Sequence, residues 1–445
     1  FLKSNEIKMS KLSDLHPLEF INYLRDQQIN RFFFVYNPES KTVMASHEQL
    51  QPIAEFIQSD GRDFMQHEGL FFHVTKNYDT LQGAFVHRTC RGQGAGGVRY
   101  WQYPTMEDYL RDGLRLSKGM TRKNALAGLW WGGGKGVIAH NPEIEKSNPE
   151  IRASIYKEYG DLLTSIRGCY VTAEDVGTNV DDMANIFSST RFTTCIPGHL
   201  GGSGNPSVPT ARGVICGIET ALEFNDEGAL AGKIVAVQGM GNVGGRLIHY
   251  LFEKKVARVI ACDINPEIVE QLKIQLQNED LEAKVVKSGD DSILAADCDI
   301  LTPCATGAIL NPRTIPEIKA RIVCGAANNQ LEDSERDDQL LHEDGILYVP
   351  DFLTNRMGIV NCANEQYGFI TKDPFFEKHL SREWEHSIHQ TILRVLKESR
   401  ETGNPPAKVA IRMADELSSK HHPIFGQRGR QIIESLVADK WHERR

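Results

Sequence analysis

The apolar positions of the first half fall into alternating helical and strand-like registers. Between residues 10 and 60, LHPLEFINYLRDQQI and HEQLQPIAEFIQS space their apolar residues as helices do, and RFFFVYN between them reads as an aromatic strand. GLFFHVT and GAFVHRTC follow as strand runs around a turn at KNYDT. A long helix is predicted over MEDYLRDGLRLSKGMTRKNALAG, with Leu110, Leu114 and Met120 on or near one face and Lys123 in its last turns. After a GGGK loop, GVIAH is a short strand and RASIYKEYGDLLTSI a helix. The stretch PGHLGGSGNPSVP, Pro197 to Pro209, is dense in Gly, Pro and Ser and marks the expected interdomain hinge.

Beyond the hinge the pattern changes to short, fully apolar runs separated by helical ones. A helix over ARGVICGIETALEF leads into the run IVAVQ, an amphipathic helix carrying Leu247, Leu251 and Phe252, and a second run, RVIACD. AKVVKSG, CDILTPCATGAI, KARIVCGAANNQ and GILYVPDFL continue the alternation. Such alternation predicts a doubly wound parallel sheet, in which ligands bind at the carboxyl ends of the strands. Cys304, Ala305 and Thr306, and then Ala327, Asn328 and Asn329, fall at such ends.

At 445 residues the chain exceeds what a single core usually organises, so two domains are expected. A net charge of −9 without long blocks of one sign argues against a nucleic-acid surface and for small metabolites as partners. No apolar run reaches the length of a membrane span, and FLKSNEIKMS lacks the features of a signal peptide; a cytoplasmic protein is expected. Because the chain opens on Phe1, Met9 is read as a native start and residues 1–8 are excluded from fold reasoning. Nine cysteines without any CxxC spacing read as buried free thiols in a reducing compartment, with no metal site.

Two sets of residues carry candidate chemistry. Gly239, Gly241 and Gly244 form G-x-G-x-x-G between the run IVAVQ and a helix, and Asp263 lies 24 residues past the first glycine. The first glycine permits the tight turn, the second lets backbone approach a pyrophosphate at the helix N-terminus, and the third lets helix and strand pack closely. Asp263 would accept a ribose hydroxyl and repel a 2′-phosphate, which favours NAD over NADP. The other set is Lys123 and Lys135, twelve residues apart, the second walled by Gly132, Gly133, Gly134 and Gly136. Backbone close around an amine leaves few side chains to shield it, which suits a reactive lysine. Glu174 and Asp175 in VTAEDVGTNVDDM supply a carboxylate for an acid/base pair with such a lysine, and sequence physics does not choose between them. Asp181 and Asp182 read as the start of a helix.

In this order GGVRYWQYP, GMTRKNALAGLWWGGGKG, TAEDVGT, GSGNPS, TARGV, VQGMGNVGG, CDILTPCATGAI and GAANNQL resemble the glutamate/leucine/phenylalanine/valine dehydrogenase family, closer to its leucine and phenylalanine branch. The resemblance runs from about residue 69 to KVAIRMADEL near the C-terminus. It implies that Lys123 holds a substrate α-carboxylate, that Lys135 is the catalytic lysine and that Asp175, not Glu174, is the catalytic aspartate. It further implies substrate contacts from Gly96, Asn329, Ile359 and Cys362, and cofactor contacts from Thr210, Asn242, Val243, Ala305, Thr306 and Asn328 beside the three glycines and Asp263. The implied reaction is reversible oxidative deamination of an L-amino acid to a 2-oxo acid and ammonium with NAD, in a homo-oligomer.

Where glutamate enzymes carry a lysine before the Gly-Gly pair, this chain has Ala95, so burying a side-chain carboxylate would be costly and an apolar substrate is expected. Ala95 stands where leucine-type enzymes carry Leu, and Cys362 where they carry Val, which suggests room for an aromatic side chain. A glutamate dehydrogenase, or a dinucleotide-binding regulator without turnover, are the alternatives. One departure is Asn355-Arg356-Met357-Gly358, where the family reads Asn-Ala-Gly-Gly; Arg356 and Met357 would narrow the pocket, touch the substrate or alter the hinge. The expected architecture is α/β with two domains: an α/β substrate and assembly domain over 9–206, and a Rossmann-type doubly wound parallel sheet domain over 207–402. Residues 403–445 are expected to pack back on the first, and the first sixty residues to form an added layer serving oligomerisation.

Overall fold

The structure, a computed structural model, describes residues 11–443, so the expectations about residues 1–8 and Met9 lie outside the described residues. Two sheets organise the chain. The first holds β1 (Arg31–Asn37), β2 (Thr42–Ala45), β3 (Gly69–Val74), β4 (Leu81–Arg88), β5 (Gly94–Ala95), β6 (Val98–Trp101), β7 (Gly132–Ala139) and β8 (Tyr170–Val171). Its order is β2-β1-β3-β4-β7-β5-β8, with β6 also pairing β7. The first five strands along that path pair antiparallel, whereas β5 and β6 run parallel to β7.

The second sheet is parallel throughout: β9 (Ile234–Gln238), β10 (Arg258–Asp263), β11 (Leu281–Val285), β12 (Ile300–Pro303), β13 (Ile322–Cys324) and β14 (Leu347–Val349), in the order β11-β10-β9-β12-β13-β14. Runs such as Val235–Val237 and Ile300–Leu301 are buried to the last residue because helices cover both faces of the sheet, the reason parallel strands read as unbroken apolar runs. After β9 the chain winds outward through β10 and β11, then returns to the other side at β12. The crevice at the carboxyl ends of β9 and β12 is therefore the switch point of a doubly wound sheet.

The triple glycine is not a loop, as its composition suggested, but part of strand β7. Lys135 pairs with Phe85 across β4, and Gly136 with Val98 on β6. A Cβ on Gly133 would lie 1.9 Å from the Thr121 hydroxyl and 2.3 Å from its backbone nitrogen, and one on Gly136 would lie 2.2 Å from the Tyr159 hydroxyl. Glycine is required because the helix Met106–Leu126 and the tyrosines lie directly on the strand. Lys123 is thereby set on the helix that covers the strand of Lys135.

The N-terminal segment is built into the first sheet rather than appended to it. β1 pairs β3, and the helices Pro17–Asp26 and Gln51–Ser59 bury Phe20, Leu24, Ile53 and Ile57 in one cluster with Phe32, Phe72, Phe85 and Tyr109. The segment after residue 403 divides. The helix Pro406–Ser418 puts Val409, Ala410 and Ala414 into the core of the second sheet, while its Asp415 accepts both Arg122 nitrogens, at 2.9 and 3.0 Å, from the long helix of the first. Only the later part, with Ile433, Leu436 and Trp441, joins the first core. The hinge composition also hid a helix start: Ser207–Phe224 begins four residues before the predicted Ala211 and holds Pro209 in its first turn.

Gly133→Ala is expected to cost at least about 1–3 kcal/mol through overpacking against helix backbone. Gly119→Ala, in the same helix that covers β7 but with nothing within 4 Å of its added carbon, is expected to stabilise by about 0.5–1 kcal/mol. Thermal melts of the two variants test this; equal shifts would mean that the close helix–strand approach does not constrain the motif.

Candidate active site

A cavity of about 460 Å³ lies between the two sheets, walled by Met120, Lys123 and Lys135 from the first and by Thr210, Asn242, Val243, Cys304, Asn328 and Asn329 from the second. Glu174 and Asp175, which follow β8, line it too, as do Ile359 and Cys362 on the helix Met357–Gln366. Residues spread over more than 230 positions thus converge on one space.

Lys135 is buried, and its Nζ lies 2.8 Å from Oδ2 of Asp175. Arg99 Nε donates to the same oxygen at 3.2 Å, while its Nη1 donates to both oxygens of Asp112 at 3.1 and 3.0 Å. The Tyr103 hydroxyl ends the string, donating to Asp112 at 2.7 Å. Burial alone would raise the Asp175 carboxyl, but Lys135 and Arg99 overcome it and hold the group well below the usual carboxylate range. Burial lowers the Lys135 ammonium, with Asp175 opposing and Arg99 reinforcing the shift. Lys135 is thus a buried lysine whose ammonium form is disfavoured by burial, on a partner that stays ionised.

Lys123 donates to Asn328 Oδ1 at 3.2 Å, across the cavity from the carboxyl end of β13. Burial brings it down to about 8, with Asp351 opposing and Lys135 reinforcing. Asn328 Oδ1 also accepts from Asn355 Nδ2 at 2.9 Å, and Asn329, at φ +53°, donates its backbone N–H to Asp351 at 3.0 Å. Asp351, Asn355, Arg99 and Asp112 escaped the sequence reading as site residues. Arg99 had a signal, standing inside the family-like segment GGVRYWQYP; Asp351 has none beyond its place after β14. Glu174 is held differently from its neighbour: Oε1 accepts from Asn205 at 2.9 Å, Oε2 is buried without a partner, and burial with Asp182 and Asp175 nearby brings it up to about 7.

Ala95 and Gly96 do not reach the cavity. Ala95 is fully buried in β5, and Gly96 packs so tightly on the Gly134 carbonyl that a Cβ would lie 2.1 Å from it. Arg356 and Met357 turn away as well. The Arg356 guanidinium, completely buried, donates to the Leu126 carbonyl at 2.8 Å, to Thr391 at 3.3 Å and to the His386 carbonyl, and burial lowers it to about 9. Met357 lies in the core of the second sheet. Of the three readings of that departure, narrowing the pocket and touching the substrate are excluded; Arg356 joins the end of the Lys123 helix to the segment before Ile388–Thr402. The helix Val180–Phe187 is capped by Asn179, with Asp182 closing a capping box, rather than by the aspartates alone.

The glycine turn meets the requirements of a dinucleotide. Gly239 sits at φ +88° with Ala305 against it, and a Cβ on Gly244 would strike the Gly239 carbonyl at 1.9 Å. Gly241, at the N-terminus of the helix Asn242–Glu253, has nothing within 4 Å of where a Cβ would stand, so backbone N–H groups there are open to a phosphate. Asp263 ends β10, its two oxygens accepting the N–H groups of Met240 and Asn265 at 2.8 and 2.9 Å, with lone pairs to spare. Thr306 lies exposed beside the turn, outside the cavity lining.

Two family profiles match the chain: Glu/Leu/Phe/Val dehydrogenase, dimerisation domain, over residues 71–192, and Glutamate/Leucine/Phenylalanine/Valine dehydrogenase over 201–419. The leucine dehydrogenase of Geobacillus stearothermophilus is 39% identical over 352 residues, 78% of this chain and 90% of that protein. The phenylalanine dehydrogenase of Lysinibacillus sphaericus is 38% identical over 284 residues, 64% and 72% of the two chains. Among solved structures, L-tryptophan dehydrogenase from Nostoc punctiforme superposes with a TM-score of 0.62 at 34% identity, covering 79% of this chain and 95% of that one.

Asp175→Asn leaves Lys135 buried without its anion, and such an orphaned charge is expected to cost about 3–5 kcal/mol at neutral pH. Burial lowers the folded-state value of that lysine below its unfolded one, so the folded variant binds fewer protons and gains stability as pH rises through the folded value. Melting temperatures of the variant from pH 6 to 10 test the sign; a deficit that stays flat or grows would refute the pairing.

Proposed function

Because the chain belongs to the Glu/Leu/Phe/Val dehydrogenase family, an amino acid dehydrogenase family that uses a nicotinamide dinucleotide, we propose that it oxidatively deaminates an apolar or aromatic L-amino acid with NAD. The observation that carries the reading is the pair Lys135–Asp175 at 2.8 Å in a cavity whose opposite wall is the carboxyl end of a doubly wound sheet. In this reading residues 9–206 hold the substrate, and 207–402 hold the cofactor.

The roles follow from charge and position. Lys123 takes the substrate carboxylate, for which the Asn328 carbonyl oxygen is a weaker, neutral partner. A nicotinamide held in the cavity would supply the acceptor for the hydride of the substrate Cα, the oxidation that turns the amine into an iminium group. Lys135, in its deprotonated form, takes a proton from the water that attacks the iminium carbon. Asp175, kept ionised by Lys135 and Arg99, accepts and returns the proton of the departing amine. Thr210, Asn242, Val243 and Asn328, which line the cavity, would hold the nicotinamide end of the cofactor, and Gly239, Gly241 and Gly244 its pyrophosphate. Asp263 would meet the adenosine ribose, where its carboxylate favours NAD over NADP, and Ala305 and Thr306, beside the glycine turn, would also contact the cofactor.

Substrate class rests on the cations present. Lys123 and Lys135 are the cationic residues of the cavity wall, and both are committed to the reacting end of an amino acid. A side-chain carboxylate would be buried without a partner, which disfavours glutamate. Leu116, Met120, Ile359 and Cys362 offer apolar surface instead. Since Ala95 does not line the cavity, Met120, Ile359 and Cys362 rather than Ala95 set its width. The relatives named as leucine, phenylalanine and L-tryptophan dehydrogenases span the candidate side chains. Assembly into a homo-oligomer and a cytoplasmic setting complete the proposal.

NADH formation with leucine, phenylalanine, tryptophan and glutamate is the test. Turnover of the apolar set is expected, with glutamate and NADP poor, and Lys135→Ala should lower the rate by about 10²–10⁴-fold. The rate should rise with pH along a limb lying below the ordinary lysine value of about 10.4, because deprotonated Lys135 is the active form. Glutamate as the preferred substrate would return the chain to the glutamate enzymes; tight NAD binding without turnover of any amino acid would make it a regulator.

A further inference from the structure

Cys195 and Cys362 come from segments 167 residues apart, yet their sulfurs lie 3.1 Å from each other. Both are buried, at 0% and 2% exposure. The meeting is built, not incidental. Cys195 stands at φ +61°, in the left-handed region that non-glycine residues rarely occupy. Glu365 holds it there: its carboxylate accepts the N–H groups of Cys195, Ile196 and Ser203 at 2.9, 3.3 and 3.0 Å, and the Ser203 hydroxyl besides. Cys362 lies one turn before Glu365 on the same helix, so that helix supplies one sulfur and fixes the position of the other. Cys362 lines the substrate cavity, and Cys195 stands behind it, outside the lining.

We propose that Cys195 and Cys362 are a redox-active thiol pair, converted by a hydroperoxide to a disulfide in the wall of the substrate cavity. Cys362 is the sulfur that meets the oxidant. It attacks a peroxide oxygen, the O–O bond breaks, and a sulfenic acid and one water form. The Cys195 sulfur then attacks the sulfenic sulfur; the S–O bond breaks, and the hydroxide leaves as a second water with the Cys195 proton. Two thiols and one hydrogen peroxide thus give one disulfide and two waters, with sulfur oxidised by two electrons and peroxide reduced by two. A hydrogen bond to Cys362 and burial raise the Cys195 thiol, which keeps its proton until the sulfenic acid is present.

Closing the gap to the roughly 2.05 Å of a disulfide draws Cys362 out of the cavity wall. It also joins the helix Met357–Gln366 covalently to the segment before the glycine-rich hinge. The consequence for turnover rests on the proposed function, whereas the bond itself does not. The test treats the full chain with hydrogen peroxide, alkylates the remaining thiols, digests without reduction and analyses the peptides by mass spectrometry. A cross-linked peptide pair containing Cys195 and Cys362, lighter by two hydrogens than its parts, is expected. NADH formation should be lost in step with it, and dithiothreitol should restore both. Cys195→Ser should keep its basal rate and form no cross-link, and its peroxide inactivation should no longer be reversed by dithiothreitol, because Cys362 then proceeds to the sulfinic acid. Separately alkylated Cys195 and Cys362 after peroxide would overturn the pairing, whatever the protein's activity. A complete cross-link with unchanged turnover would overturn its control of the cavity.

Discussion

The string of charges Lys135–Asp175–Arg99–Asp112 is the constraint around which the site is assembled. Four ionised groups are taken mostly out of water, and none is left without an opposite charge within 3.2 Å. Removing ions from water costs several kcal/mol for each, and close pairing offsets that only when the geometry holds. The strand β7 supplies Lys135, β6 supplies Arg99, the long helix supplies Asp112, and the turn after β8 supplies Asp175. Each element must therefore keep its register, since a slip of one residue in β7 would turn Lys135 to the opposite face of the sheet.

The glycines serve the same constraint from the other side. A side chain in place of Gly133 would push the helix Met106–Leu126 outward, because Thr121 already touches the strand backbone there, and one in place of Gly134 or Gly136 would strike Tyr170 or Tyr159. Lys123, Asp112 and Met120 all ride on that helix. Gly133 therefore acts on the site at a distance: it sets how deep the helix lies, and so how far the two lysines stand apart. Burial depresses both amines first, and a neighbouring cation adds to it in each case, Lys135 beside Lys123 and Arg99 beside Lys135.

Much of this was legible in the chain. The strands from β9 onward and the long helix follow from periodicity, because parallel strands covered on both faces leave unbroken apolar runs. Gly239, Gly241 and Gly244 could be read because each glycine answers a local steric demand that a sequence displays. The triple glycine was misread for a related reason: out of context glycine signals a turn, and its use in β7 depends on Thr121, Tyr159 and Tyr170, which lie apart from it in sequence. Asp351 could not be found and Asn355 was read only as part of a departing motif, since their importance comes from facing Asn328 and Asn329 across a crevice. The same holds for the thiols, whose separation of 167 residues gives no spacing to read.

Arg356 shows how the site is coupled to the rest of the fold. A guanidinium buried among carbonyls and a hydroxyl, with no carboxylate in its shell of hydrogen bonds, has its charge met only by dipoles. The Leu126 carbonyl it binds is the last residue of the helix that carries Lys123, where the aligned peptide dipoles present their negative end. Arg356 itself stands at the N-cap of the helix bearing Ile359 and Cys362. One buried cation thus joins the two helices that line the substrate cavity, while Glu365, farther along the second, secures the segment leading to the cofactor-side helix Ser207–Phe224. The helix Met357–Gln366 is therefore tied at both ends to elements of the first sheet, although Met357 and Val360 pack in the core of the second. A relative movement of the two sheets strains these ties, and a shift of the helix carries Ile359 and Cys362, in the cavity wall proposed to meet the substrate side chain.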